Sequence, residues 1–151
     1  MHQSVKTNSL AFALWTLCSC ALHLLLFKAK VDASLPVLHR IPVALAAIVF
    51  ILPVHEAIHA LFMKLFYQGK VKLVFAKGAL GLPIPGVPTT GKAAKWQHGI
   101  MLIAPFVLLT VLPDVLFAFS KSIHPFFFCV AIGNCAGCFY DMTDLISIAG
   151  K

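Results

Sequence analysis

The sequence predicts an all-α integral membrane protein of about four transmembrane helices, with a short β-hairpin-like loop between the second and third. Three observations carry this. Of 151 residues, 60% are hydrophobic and only 11% charged, against about 25% charged in an ordinary soluble domain. Four apolar stretches are each long enough to cross a hydrocarbon core of about 30 Å. Only one connection between them is long, and it is rich in Gly and Pro. The length suits one domain, so residues 1–151 are read as a single membrane-embedded unit.

The first stretch, 10–27, follows Lys6. It is long for a signal-peptide core and has no small-x-small cleavage pattern, so a retained helix is expected. The second, 42–66, contains Pro53, which removes a backbone donor and is expected to bend the helix. The loop at 67–98 opens with KVKLVFA (70–76), which is β-prone. Gly78, Gly81, Pro83, Pro85, Gly86 and Pro88 then break any helix. That pattern fits a strand or hairpin followed by a turn, either a plain connector or an edge that pairs with an extended substrate. The third and fourth stretches are 99–119 and 125–149. In lipid each must be helical, because no water is present to satisfy the backbone.

The net charge is +7, but the basic residues are spread between the apolar runs and form no tract. They read as topology signals and headgroup contacts, which argues against nucleic acid as a partner. With four spans, Lys6, Lys64, Lys70, Lys72, Lys77, Lys92, Lys95 and Lys151 share one side. Lys28, Lys30, Arg40 and Lys121 take the other. Eight against four predicts cytoplasmic termini, in the plasma membrane. Cys18, Cys20, Cys129, Cys135 and Cys138 all fall in apolar stretches, a poor disulfide pattern, and read as small packing residues.

There are only five acids: Asp32, Glu56, Asp114, Asp141 and Asp144. The sole glutamate lies in His55-Glu56-Ala57-Ile58-His59. Histidines four apart stand on one helix face, one turn apart, where two neutral imidazoles can share a metal ion. Glu56, beside the first, is placed to act as general base on water, the logic of zinc peptidases. Two histidines and the only glutamate inside an apolar helix are costly in lipid unless they serve a site. Zn²⁺ is therefore the expected cofactor.

A zinc site needs a third protein ligand. Asn134, Cys138 and Asp141 recur at helical spacing in the fourth stretch, and Asp144 continues that face. Counting residues from the helix ends at 1.5 Å each puts His55, His59 and Asp141 at about 10–16 Å from one surface. Asp141 is the expected ligand, with Asp144 as the alternative. Asn134 is expected to bind substrate or to orient a ligand. Cys138 is a fourth ligand or a small filler, and Cys135-Ala-Gly-Cys138 alone is weak evidence for redox work. Gly133 and Gly137 predict the close approach of another helix. His23 reads as an interhelical bond, Asp114 as a cavity or backbone contact, and His98 and His124 as interfacial residues.

HEAIH, the following loop, IAPFVLL and GNCAGCFYD together resemble the zincin-like membrane peptidases, a family first defined as a domain of unknown function. The resemblance covers about 45–149. The family's Asn-x-x-x-Ser/Cys-x-x-Asp pattern falls on Asn134, Cys138 and Asp141. In plan the chain is similar to site-2 proteases, which pair HExxH on one helix with an aspartate on a later one. The Asp-Gly usual there is absent, since Met142 follows Asp141, and the choice between Asp141 and Asp144 stays open. The resemblance implies a membrane-embedded zinc metalloprotease acting on membrane-associated or transmembrane polypeptides. The alternative is a non-catalytic metal-binding membrane protein, a carrier or an adaptor.

Overall fold

The computed structural model describes the backbone of residues 5–32, 34, 36–66, 74–77, 83–86 and 93–150. Helix α1 spans Val5–Phe27 and α2 spans Val37–Phe66. Strands β1 (Val74–Lys77) and β2 (Pro83–Gly86) pair antiparallel, with Val74 opposite Gly86 and Lys77 opposite Pro83. The remainder of the 67–92 loop lies outside the described residues. Helix α3 (Lys95–Phe106) runs through a π-turn at Val107–Val111 into α4 (Leu112–Phe119), together one span. Helices α5 (Pro125–Gly137) and α6 (Phe139–Ala149) complete the chain.

Three helices are long and apolar enough to cross a membrane, and the α5–α6 pair makes a fourth if the two count as one bent span. Their outward faces are apolar, with Leu25, Leu38 and Phe119 all more than three-quarters exposed. Such faces suit lipid and not water. Helix contact in lipid is driven by packing and polar bonds, since lipid tails are as apolar as leucine. Accordingly the buried apolar residues form three small clusters, one of them around Phe27, Phe117, Ile123 and Phe128.

Helix α5 is the hub, with α1, α2, the π-turn and α4 all packed against it, while α3 packs against α2 and α6. Polar bonds pin this arrangement. Trp15 Nε1 on α1 donates to the Cys135 carbonyl at 2.7 Å. His23 Nε2 lies 3.2 Å from Asp114 Oδ2 and ties α1 to α4, the interhelical role expected of that histidine. Lys30 Nζ donates to the Phe117 and Ala118 carbonyls at 3.1 and 2.8 Å, in the last turn of α4, where a basic group complements the helix end; the Phe117 carbonyl also accepts from the Ser120 N–H. The His124 ring caps α5 by accepting from the Phe126 N–H.

Two expectations need correction. The stretch 125–149 is not one straight helix. It bends by 42° at Cys138, whose ψ of 0° departs from helical values. Gly137, a weak helix former, stands at the break, and Asp141 falls in the first turn of a new helix. Nor do Gly133 and Gly137 admit a neighbouring helix, because a Cβ on either would meet nothing within 4 Å. The close approach falls at Gly99, where a Cβ would stand 3.3 Å from Leu145 Cδ1. Pro42 and Pro53 both lie inside a continuous α2.

Candidate metal centre

One turn separates His55 from His59 on α2, and both rings point toward α5 and α6. His55 Nε2 lies 3.1 Å from Asp141 Oδ2, and His59 Nε2 lies 3.4 Å from Asp141 Oδ1. The two Nε2 atoms are 3.1 Å apart. Among the described residues these three side chains form the group able to hold a metal ion. All three are half-buried or buried, the histidines within α2 and Asp141 in the first turn of α6.

The protons on these rings follow from their other partners. His59 Nδ1 lies 3.0 Å from the Met101 carbonyl. A carbonyl only accepts, so Nδ1 carries the hydrogen and Nε2 is left with a bare lone pair. Pro105 makes this carbonyl available. A helical residue at 105 would send its N–H to the oxygen four residues back, which is Met101, and proline has no N–H to send.

His55 is fixed through Asn134. Asn134 is 1% exposed. Its Nδ2 faces the Pro105 carbonyl at 2.9 Å and Thr110 Oγ1 at 3.0 Å. The carbonyl accepts only, so the Asn134 amide nitrogen must point there. Its oxygen then faces His55 Nδ1 at 2.9 Å and accepts the hydrogen from it. His55 Nε2 is therefore also bare. Thr110 in turn donates to the Ala131 carbonyl at 3.2 Å.

With both imidazoles neutral, three acceptors thus face one another at contact distance with no hydrogen of their own between them, and Asp141 Oδ2 is buried without a hydrogen-bond partner. Such a cluster is repulsive unless a cation fills it. The His55 Nε2–His59 Nε2 and His55 Nε2–Asp141 Oδ2 separations, both 3.1 Å, lie close to the edge of a tetrahedron with zinc–ligand bonds of 2.0–2.1 Å, about 3.3 Å, while His59 Nε2 meets the other carboxylate oxygen at 3.4 Å. The residues present fit zinc. Asp141 also stands in the first turn of α6, the end of a helix that favours negative charge.

A cavity of about 240 Å³ opens beside this cluster, lined by Glu56, His59, His98, Met101, Asp141 and Asp144 among others. Glu56, expected as general base, lines the cavity without joining the three ligand atoms. Asp144, the alternative ligand, is exposed on the cavity wall, and Asp141 is the acid that meets both histidines. Asn134 turns its polar atoms to protein partners, not to the cavity. Cys138 is fully buried and stands 3.5 Å from the Asn134 amide, outside the ligand group. Sequence reasoning passed over Met101, Pro105 and Thr110. Pro105 was the available signal, since an in-helix proline frees the carbonyl four residues earlier.

Residues 48–150 match the family described as "Putative zincin peptidase". The chain belongs to that family. No curated protein and no solved structure matches it. The match begins inside α2 and takes in both histidines, Glu56, Asn134 and Asp141, whereas α1 lies outside it.

The Asn134 relay makes a testable statement within this family. Asn134→Ala is expected to weaken metal affinity about 10–100-fold, the usual cost of losing a partner that orients a ligand histidine. Competition with a chromophoric chelator measures it. Unchanged affinity would show that His55 needs no help from Asn134.

Proposed function

We propose that this chain is a membrane-embedded zinc metalloprotease that hydrolyses peptide bonds of membrane-associated or transmembrane polypeptides. The observation that carries the reading is the convergence of three bare acceptors, His55 Nε2, His59 Nε2 and the Asp141 carboxylate, beside a cavity that holds Glu56. Family membership supports it. The plan, HExxH on one helix and an aspartate on a later one, is similar to that of site-2 proteases.

Bound in this cluster, zinc supplies a Lewis acid that polarises a carbonyl and acidifies water. The chain's own residues do the rest. His55 and His59 offer Nε2 because Asn134 and Met101 hold their Nδ1 hydrogens. Asp141 contributes a carboxylate oxygen and one negative charge. The Glu56 carboxylate takes a proton from water in the cavity and passes it to the leaving amine. Met63, Met101 and Leu102 line the apolar part of the cavity, opposite the polar set of Glu56, His59, His98, Asp141 and Asp144 that can hold water.

A peptide bond inside a transmembrane helix is shielded by its own hydrogen bonds, so the substrate must unwind locally. β2 lies against α2, and the β1–β2 hairpin offers an edge for such an extended segment. The expected setting is the plasma membrane, with both termini cytoplasmic, residues 1–151 acting as one unit, and the bilayer and a membrane polypeptide as partners. Metal removal tests the reading. Purified protein is expected to carry one zinc per chain, to lose cleavage of a detergent-solubilised transmembrane peptide on chelation, and to regain it with zinc. Cleavage that survives complete removal of zinc would refute the assignment.

A further inference from the structure

A second cavity, of about 390 Å³, lies at the end of the molecule where α1 finishes and α2 and α5 begin. Helices α1 and α2 both pack on α5 rather than closely on each other, and the gap between them is floored by Phe128. Lys28, Asp32 and Arg40 line it together with Leu24, Ala44 and Phe128. Lys28 follows Leu24 by one helical turn, and Arg40 precedes Ala44 by one turn. On both walls the charge therefore lies at the helix end and the apolar surface about 5.4 Å further in. The cleft changes from ionic to apolar along the direction in which a lipid changes from headgroup to chain.

We propose that this cleft is a binding site for a phospholipid with a primary-amine headgroup. Lys28 receives the phosphate, Asp32 receives the ammonium, and an acyl chain lies over Phe128 between Leu24 and Ala44. Charge complementarity selects this occupant. The Lys28 ammonium and the Asp32 carboxylate in one lining match a phosphate beside an amine, whereas a headgroup without an amine leaves the carboxylate facing the phosphate. Asp32 is held as a carboxylate because the Ser34 backbone N–H donates to Oδ1 at 2.9 Å, which keeps its pKa below the usual range. The backbone around the mouth is also fixed. The Asp32 N–H donates to the Ile123 carbonyl at 2.9 Å, and the Ile123 N–H to the Lys30 carbonyl at 2.8 Å.

The test is native mass spectrometry of the full chain in detergent, titrated with phosphatidylethanolamine or with phosphatidylglycerol. Phosphatidylethanolamine is expected to bind the more tightly. Lys28→Ala is expected to weaken it about fivefold, the worth of one lysine near a lipid surface. Asp32→Asn is expected to abolish the preference between the two lipids. Lys121→Ala removes an exposed charge outside the cleft lining and is expected to change nothing. Equal binding of the two lipids by the wild type would overturn the proposal. So would a loss in Lys121→Ala as large as in Lys28→Ala, which would mean unspecific charge attraction. Circular dichroism and elution volume check that each variant is folded.

Discussion

Glu56→Gln is expected to lower peptide cleavage about 10³-fold, the middle of the range for a lost general base, while leaving zinc content unchanged. The two halves of this result have separate causes. Glu56 lines the cavity but contributes no atom to the group formed by His55, His59 and Asp141, so the amide should not disturb metal binding. The amide keeps the shape of the side chain but cannot take a proton from water at neutral pH. Measuring zinc by elemental analysis and turnover on the same sample separates the outcomes. Full turnover in the variant would remove the base from the mechanism and favour a metal carrier or adaptor. Loss of zinc together with activity would make Glu56 a ligand.

Asp141→Ala is expected to empty the site, whereas Asp144→Ala should keep it loaded. The loss in Asp141→Ala should exceed the about 10–100-fold that removal of an outer hydrogen-bond partner costs, because it deletes one of three direct donors and the site's negative charge. Asp144 lines the same cavity from an exposed position, so its variant is expected to alter KM and not zinc content. Zinc retained in Asp141→Ala and lost in Asp144→Ala would reverse the assignment. The Asp141→Ala fold can be checked by helical circular dichroism, since the Asn134 bonds to Pro105 and Thr110 do not involve Asp141.

Much of this site is legible in local spacing. The i, i+4 relation of His55 and His59 requires only that their segment be helical, and an apolar run in lipid can be little else. The rarity of acids then singles out Glu56, Asp141 and Asp144. The bend at Cys138 was harder to see. GNCAGCFYD has no proline, and its apolar residues continue on both sides of the break, so hydropathy registers one span where the backbone makes two helices. The Gly133–Gly137 pair misled for a related reason. Small residues permit close helix approach but do not compel it, and the tight glycine is Gly99, which faces the Leu145 side chain.

The HEAIH motif and its apolar setting are properties of the sequence by itself. They predict a chain of membrane-spanning helices with two histidines on one helix face and a single glutamate beside them. Which acid meets those histidines, and which ring nitrogen each presents, was decided only by the tertiary structure. His55 and Asn134 are 79 residues apart, and they meet because of the rotation and tilt of α2 against α5. Those two quantities are set by side-chain packing along whole helices, and no local period encodes them. The tautomers depend on the same packing, since the carbonyls of Met101 and Pro105 fix the hydrogens. Periodicity identifies the face a residue occupies, and only the assembled bundle determines what that face meets.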